Sequence, residues 1–146
     1  MLSKITLVAL LVGTAAPLQA QWRLELARDV TLRIKAQSGP LITSIEGGNS
    51  RLPVPLPVNE PVGFEFMSHG SSSCTRPGPV TLTPEGVTLT AIVLDSLRSG
   101  VCTLDYAEFP RQLTHTFSEP GQYRLRIVGR VGDQFVEFTV ADPSAP

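Results

Sequence analysis

Apolar and polar residues alternate along most of the chain from residue 22 onward. Trp22, Leu24 and Leu26 are separated by Arg23 and Glu25, and Val30, Leu32 and Ile34 by Thr31, Arg33 and Lys35. A period of two puts successive side chains on opposite faces of an extended chain, so both runs read as half-buried strands. Their apolar residues are all even-numbered, which predicts one long strand kinked near Ala27–Asp29. A weaker strand is expected over Leu41–Glu46, between Ser38-Gly39-Pro40 and Gly47-Gly48-Asn49. Val62, Phe64 and Phe66 make another. Val80 and Leu82 lead into a Pro84-Glu85-Gly86 turn, and Val87, Leu89, Ala91 and Val93 follow it. Further strands are expected over Val101–Tyr106, over Leu113, His115 and Phe117, over Tyr123, Leu125 and Ile127, and over Val136, Phe138 and Val140. Polar stretches at Ser68–Pro79 and Asp95–Gly100 read as loops.

Residues 51–61 place Pro53, Pro55 and Pro57 two apart. In an extended chain these prolines remove donors from one edge only, while Val54, Leu56 and Val58 keep theirs on the other. This suits an edge strand that cannot recruit a further strand. A polyproline segment presented to a partner is the competing reading. About nine or ten short strands, with turn signals roughly every ten residues, predict an all-β, immunoglobulin-like antiparallel β-sandwich.

The first twenty residues depart from this pattern. Lys4 precedes an apolar run, Ile5–Ala16, and small residues lie near Ala20. This is the layout of a secretory signal peptide, and the run is short of the roughly 20 residues a membrane span needs. The expected organisation is a signal peptide over 1–20, one domain over 21–140 and a flexible tail over 141–146. The expected destination is the bacterial periplasm or the extracellular medium, with no integral membrane segment after cleavage. Cys74 and Cys102 are the only cysteines, and an even count in an exported chain predicts a disulfide.

Charge narrows the partners. The chain has 12 basic and 13 acidic side chains, a near balance without the basic stripe that nucleic acid requires. The only histidines are His69 and His115, too few for a three-ligand zinc centre without acidic help. His115 alternates with Leu113 and Phe117 and reads as a core-edge histidine. A blue-copper set is missing, because the two cysteines are expected to bond each other. Ser71, Ser72 and Ser73 lie close to His69, but no G-x-S-x-G elbow surrounds them. Asp105 and Glu108 flank Tyr106 without the aromatic platforms of a glycosidase cleft. No catalytic residue, metal ligand or cofactor is therefore assigned.

The stretch Thr114–Ile127 resembles the last third of a PKD-type domain. Thr114, His115, Phe117, Pro120, Gly121, Tyr123, Leu125 and Ile127 match its T-H-x-aromatic, P-G-x-Y pattern. The resemblance spans roughly residues 113–140, and the family's W-x-F-G-D-G segment is absent. It implies an immunoglobulin-like sandwich serving as a binding or spacer module. The functional expectation is a non-catalytic interaction module for a protein or glycan, with His69, Ser71, Ser72, Ser73, Arg76 and Arg98 on its contact loops. Two alternatives stay open. One is a small exported metal-binding protein or enzyme using His69 and His115; the other is an exported hydrolase inhibitor.

Overall fold

A computed structural model describes residues 21–36, 43–45 and 50–146. The expected signal peptide and the flanks of the expected strand at 41–46 lie outside the described residues. The described elements are all strands: β1 (Trp22–Leu26), β2 (Thr31–Ala36), β3 (Thr43–Ile45), β4 (Ser50–Arg51), β5 (Leu56–Pro57), β6 (Pro61–Gly70), β7 (Thr75–Glu85), β8 (Thr88–Arg98), β9 (Ala107–Thr116), β10 (Gly121–Val128) and β11 (Gln134–Ala141). They form a four-stranded sheet in the order β3-β2-β6-β9 and a seven-stranded sheet. The larger sheet curls into a half-barrel. No helix among the described residues is long and apolar enough to cross a membrane.

The expected long first strand is two strands in different sheets. β1 pairs with β8 in the large sheet, whereas β2 pairs with β6 in the small one. The chain changes sheets over residues 27–30, where Asp29 takes a φ of 50°, a left-handed conformation that aspartate tolerates better than most residues. The same even-numbered pattern thus serves two surfaces. Leu32 and Ile34 are buried, while Leu24 remains 59% exposed on the outer face.

An entirely antiparallel sandwich was expected, and this is corrected. β10 runs parallel to β8, and both β4 and β5 run parallel to β11. After β8 the chain crosses to the small sheet as β9 and returns to the large sheet as β10. Such a crossover brings a strand back in its starting direction. On its other edge β8 carries β7 along most of its length, so β1 and β10 share the remaining edge in succession.

The expected loop boundaries also move. β6 continues through Ser68, His69 and Gly70, and β7 already includes Arg76 and the Pro77-Gly78-Pro79 run. A bulge between Pro77 and Val80 absorbs the prolines, and a Cβ on Gly78 would lie 2.6 Å from the Leu94 carbonyl oxygen. β8 runs on through Asp95 to Arg98, because β1 and β7 both offer it partners there. Val101–Tyr106, expected as a strand, lies in neither sheet.

The proline-rich segment is an edge. The Leu52 and Val58 amides donate to the Glu137 and Ala141 carbonyls at 2.8 and 3.1 Å, on the donor side left open by the prolines. Leu52, Leu56 and Val58 are buried, and Val54 is not.

The core fills the space between the sheets. Val62, Phe64 and Phe66 from β6 face Leu89, Ala91 and Val93 from β8, with Leu125, Ile127, Val136, Phe138 and Val140 beside them. Phe117 sits at the centre of an aromatic cluster, edge-on to Phe64, Tyr123 and Phe138 at 6.5, 4.9 and 5.6 Å between centroids.

One polar cluster crosses this core. Asp95 on β8 is 2% exposed and Ser68 on β6 is fully buried. Arg111 on β9 donates from Nη1 to Asp95 Oδ1 at 2.6 Å and from Nη2 to Ser68 Oγ at 2.8 Å. Ser68 Oγ donates to the same carboxylate oxygen at 2.9 Å. Removing one member of a buried ion pair strands the other charge. Asp95→Ala should therefore cost about 3–5 kcal/mol in urea unfolding. The double replacement Asp95→Leu with Arg111→Met should recover most of that loss, since the stranded charge goes too.

Candidate functional site

The Cys74–Cys102 disulfide is formed, with Cα atoms 5.5 Å apart. Residues 71–74 make a tight turn between β6 and β7, in which the Ser71 carbonyl accepts from the Cys74 and Thr75 amides at 3.3 and 2.9 Å. The bridge brings the 101–106 segment against this turn. Because that segment has no strand beside it, side chains of the turn satisfy its polar groups. The Thr103 amide donates to Ser73 Oγ at 2.8 Å, and the Thr103 and Ser71 hydroxyls lie 2.9 Å apart. The Ser72 amide donates to Asp105 Oδ1 at 3.2 Å, and the Thr103 hydroxyl also binds that carboxylate. Hydrogen bonds from Ser72 and then Thr103 hold the Asp105 carboxyl below its ordinary pKa. The serine run is thus a clamp for the neighbouring segment.

What the clamp holds outward is apolar. Val101, Leu104 and Tyr106 are 96%, 105% and 72% exposed. Alternation had marked this segment as a strand. Alternation reports which side chains share a face, but not whether a second strand stands beside them to take the backbone donors.

His69 joins the ridge to the outer face of the small sheet. Its ring stacks on Tyr106 at 4.7 Å between centroids and 15° between planes. Its Nε2 lies 3.5 Å from Thr31 Oγ1, and its buried Nδ1 has no hydrogen-bond partner. An open cleft of about 470 Å³ lies here, lined by Thr31, Arg33, Met67, His69, Tyr106 and Glu108 among others.

Arg76 and Arg98 belong to a different face. They lie in β7 and β8, on the outside of the large sheet, with their guanidinium carbons 4.0 and 5.8 Å from the Trp22 ring centroid. The six residues expected to share contact loops therefore divide into a serine clamp with His69 and a tryptophan–arginine stack. Sequence reading missed Trp22 as the centre of that stack, since the register of β1 on β8 is what sets Trp22 opposite Arg98.

His115 lies elsewhere again. It pairs with Val62 in the β6–β9 ladder, whereas His69 is opposite Glu108. Seven positions along β6 separate the two sites, or about 23 Å, and the odd count puts them on opposite faces. The geometry does not gather the two histidines into one centre. Among the described residues no group of three or more His, Cys, Asp or Glu side chains is arranged to hold a metal ion. No family model, no curated protein and no solved structure matches the chain.

His115 packs edge-on against Phe117 at 4.8 Å, and burial pushes its pKa below the ordinary 6.5. The folded protein then binds this proton less readily than the unfolded chain. Stability should fall as the pH drops below about 6.5 and level off once the folded-state pKa is passed. His115→Phe should remove that step from a series of urea midpoints. Reducing the disulfide reopens a 28-residue loop, worth about 3.6 kcal/mol of unfolded-chain entropy. Reduction should also release the 101–106 segment, read as faster amide exchange at Thr103 than in the oxidised protein.

Proposed function

We propose that this chain is an exported, non-catalytic interaction module whose contact surface is the clamped ridge 101–106 with the adjoining His69–Tyr106 cleft. The observation that carries this reading is the combination of exposure and restraint. Three large apolar side chains project from one short segment, and a disulfide with a set of serine and threonine hydrogen bonds fixes that segment. Apolar groups gathered on a surface mark interaction sites. A loop already ordered loses little freedom on binding, so more of its contact energy appears as affinity.

The aliphatic character of Val101 and Leu104 favours a protein partner over a glycan. The signal-like first twenty residues and the disulfide support export to the periplasm or the medium. Tyr123 donates its hydroxyl to the Glu119 carbonyl at 2.9 Å, four residues upstream. That bond resembles the tyrosine corner of immunoglobulin-like sandwiches and supports a relation to them, the parallel pairings notwithstanding. An inhibitor of an exported hydrolase is the second reading, favoured by the fixation of the ridge, which suits insertion into an active-site cleft.

The test is capture of partners from envelope extract and culture medium on immobilised oxidised protein. Leu104→Ser and Tyr106→Ala serve as controls. A specific partner should be retained by the parent protein and weakened at least about tenfold by either replacement, as expected for central contacts. Leu104→Ser should unfold at the parent's urea midpoint, and Tyr106→Ala, which loses the stack on His69, within about 1.5 kcal/mol of the parent. A partner held equally by the parent and both variants would move the contact surface elsewhere.

A further inference from the structure

Among the described residues β1 has a partner on only one side: it pairs with β8, and no other described strand is laddered to it. The Ala27 amide donates to the Val93 carbonyl across this pair, which sets the direction of every donor in β1. Amides of the odd-numbered residues face β8. Those of Trp22, Leu24 and Leu26, with their carbonyls, face outward along an unpaired edge. Of the usual guards this edge has neither a proline nor a bulge, and its two charged residues are of opposite sign. Its middle residue, Leu24, is 59% exposed.

The sequence along that edge, Trp-Arg-Leu-Glu-Leu, is complementary to itself when reversed. We propose that two copies of this chain associate through β1, antiparallel and centred on Leu24. Leu24 then stands opposite its own counterpart, and Trp22 opposite Leu26 of the second copy. Arg23 meets Glu25 of that copy, and the two-fold axis repeats each of these contacts. The outward-facing residues fall in hydrogen-bonded pairs, so every free donor and acceptor of β1 is used. Arg23 and Glu25 fall in the closer, non-bonded pairs, where opposite charges attract most effectively. Within one copy these two already form an ion pair at 3.0 Å, and Glu25 is also held by Arg130. Pairing replaces the first contact with an intermolecular one. A two-fold axis through Leu24 closes the assembly at a dimer, because each copy has one such edge. The shared edge is short, which makes the dimer reversible.

Sedimentation of chain 21–146, which contains every strand described, reads the association directly. The parent protein should pass from monomer to dimer as its concentration rises, through a range of about 10–100 µM for so small an interface. Leu24→Pro removes an outward donor without touching the ladder to β8, and should leave a monomer with an unchanged urea midpoint. Arg23→Glu places like charges opposite each other twice, and should weaken the dimer about tenfold. The exchange Arg23→Glu with Glu25→Arg restores opposite charges and should return the dimer to within about threefold of the parent. The proposal is overturned if the parent stays monomeric to about 1 mM, or if its dimer survives Leu24→Pro. It is also overturned if the charge exchange folds normally without restoring association.

Discussion

Asp95 carries a carboxylate into the interior from β8, the strand on which β1, β7 and β10 all assemble. Arg111 and Ser68 meet it from the opposite sheet, so this cluster sets where the two sheets lie against each other. Apolar packing between Phe64, Phe66, Leu89 and Val93 supplies most of the stabilisation but tolerates sliding. A buried carboxylate with directed partners does not, because any shift strands a charge in a low dielectric. β8 extends past the apolar core where β1 and β7 both pair with it. Asp95 holds the strand in register beyond Val93, and there β1 and the disulfide corner find their places.

That corner replaces a ladder with side chains. The segment 101–106 leaves β8 with no strand beside it, and the Ser71–Cys74 turn supplies donors and acceptors in its stead. Cys102 anchors the start of the segment, and the hydrogen bonds of Ser71, Ser72 and Ser73 with Thr103 and Asp105 carry the restraint along it. Polar groups satisfied inward leave Val101, Leu104 and Tyr106 outward. The ridge can therefore be rigid and apolar together, a combination that would drive collapse or aggregation if it were mobile. Stacking of Tyr106 on His69 continues the restraint into β6.

Much of the fold was legible in the chain. The alternating runs of β2, β6, β10 and β11 bury the residues that their period assigns to the core, and the prolines of residues 51–61 leave donors on the edge that β11 occupies. The Cys74–Cys102 pairing followed from two cysteines in a chain whose first twenty residues read as a signal peptide. Of the candidate site, His69 and the serine run were expected on a contact loop; His69 lies in β6 stacked on Tyr106, and Ser71–Ser73 form the turn that holds the 101–106 segment. Arg76 and Arg98 were marked as loop residues, yet they lie in strands and stack on Trp22. Their polarity resembled that of a loop because the outer face of a sheet is as wet as a turn.

The sequence by itself determined an all-β chain, its principal buried residues and its one covalent tie, because these depend on period, turn chemistry and cysteine count along a short stretch. Only the tertiary structure decided which sheet each strand joined, that β8 and β10 run parallel, and that Val101–Tyr106 is a clamped ridge. Those outcomes depend on which neighbour takes the second side of a strand's hydrogen bonds. Alternation fixes a residue's face but leaves that neighbour open, since the partner comes from a distant part of the chain.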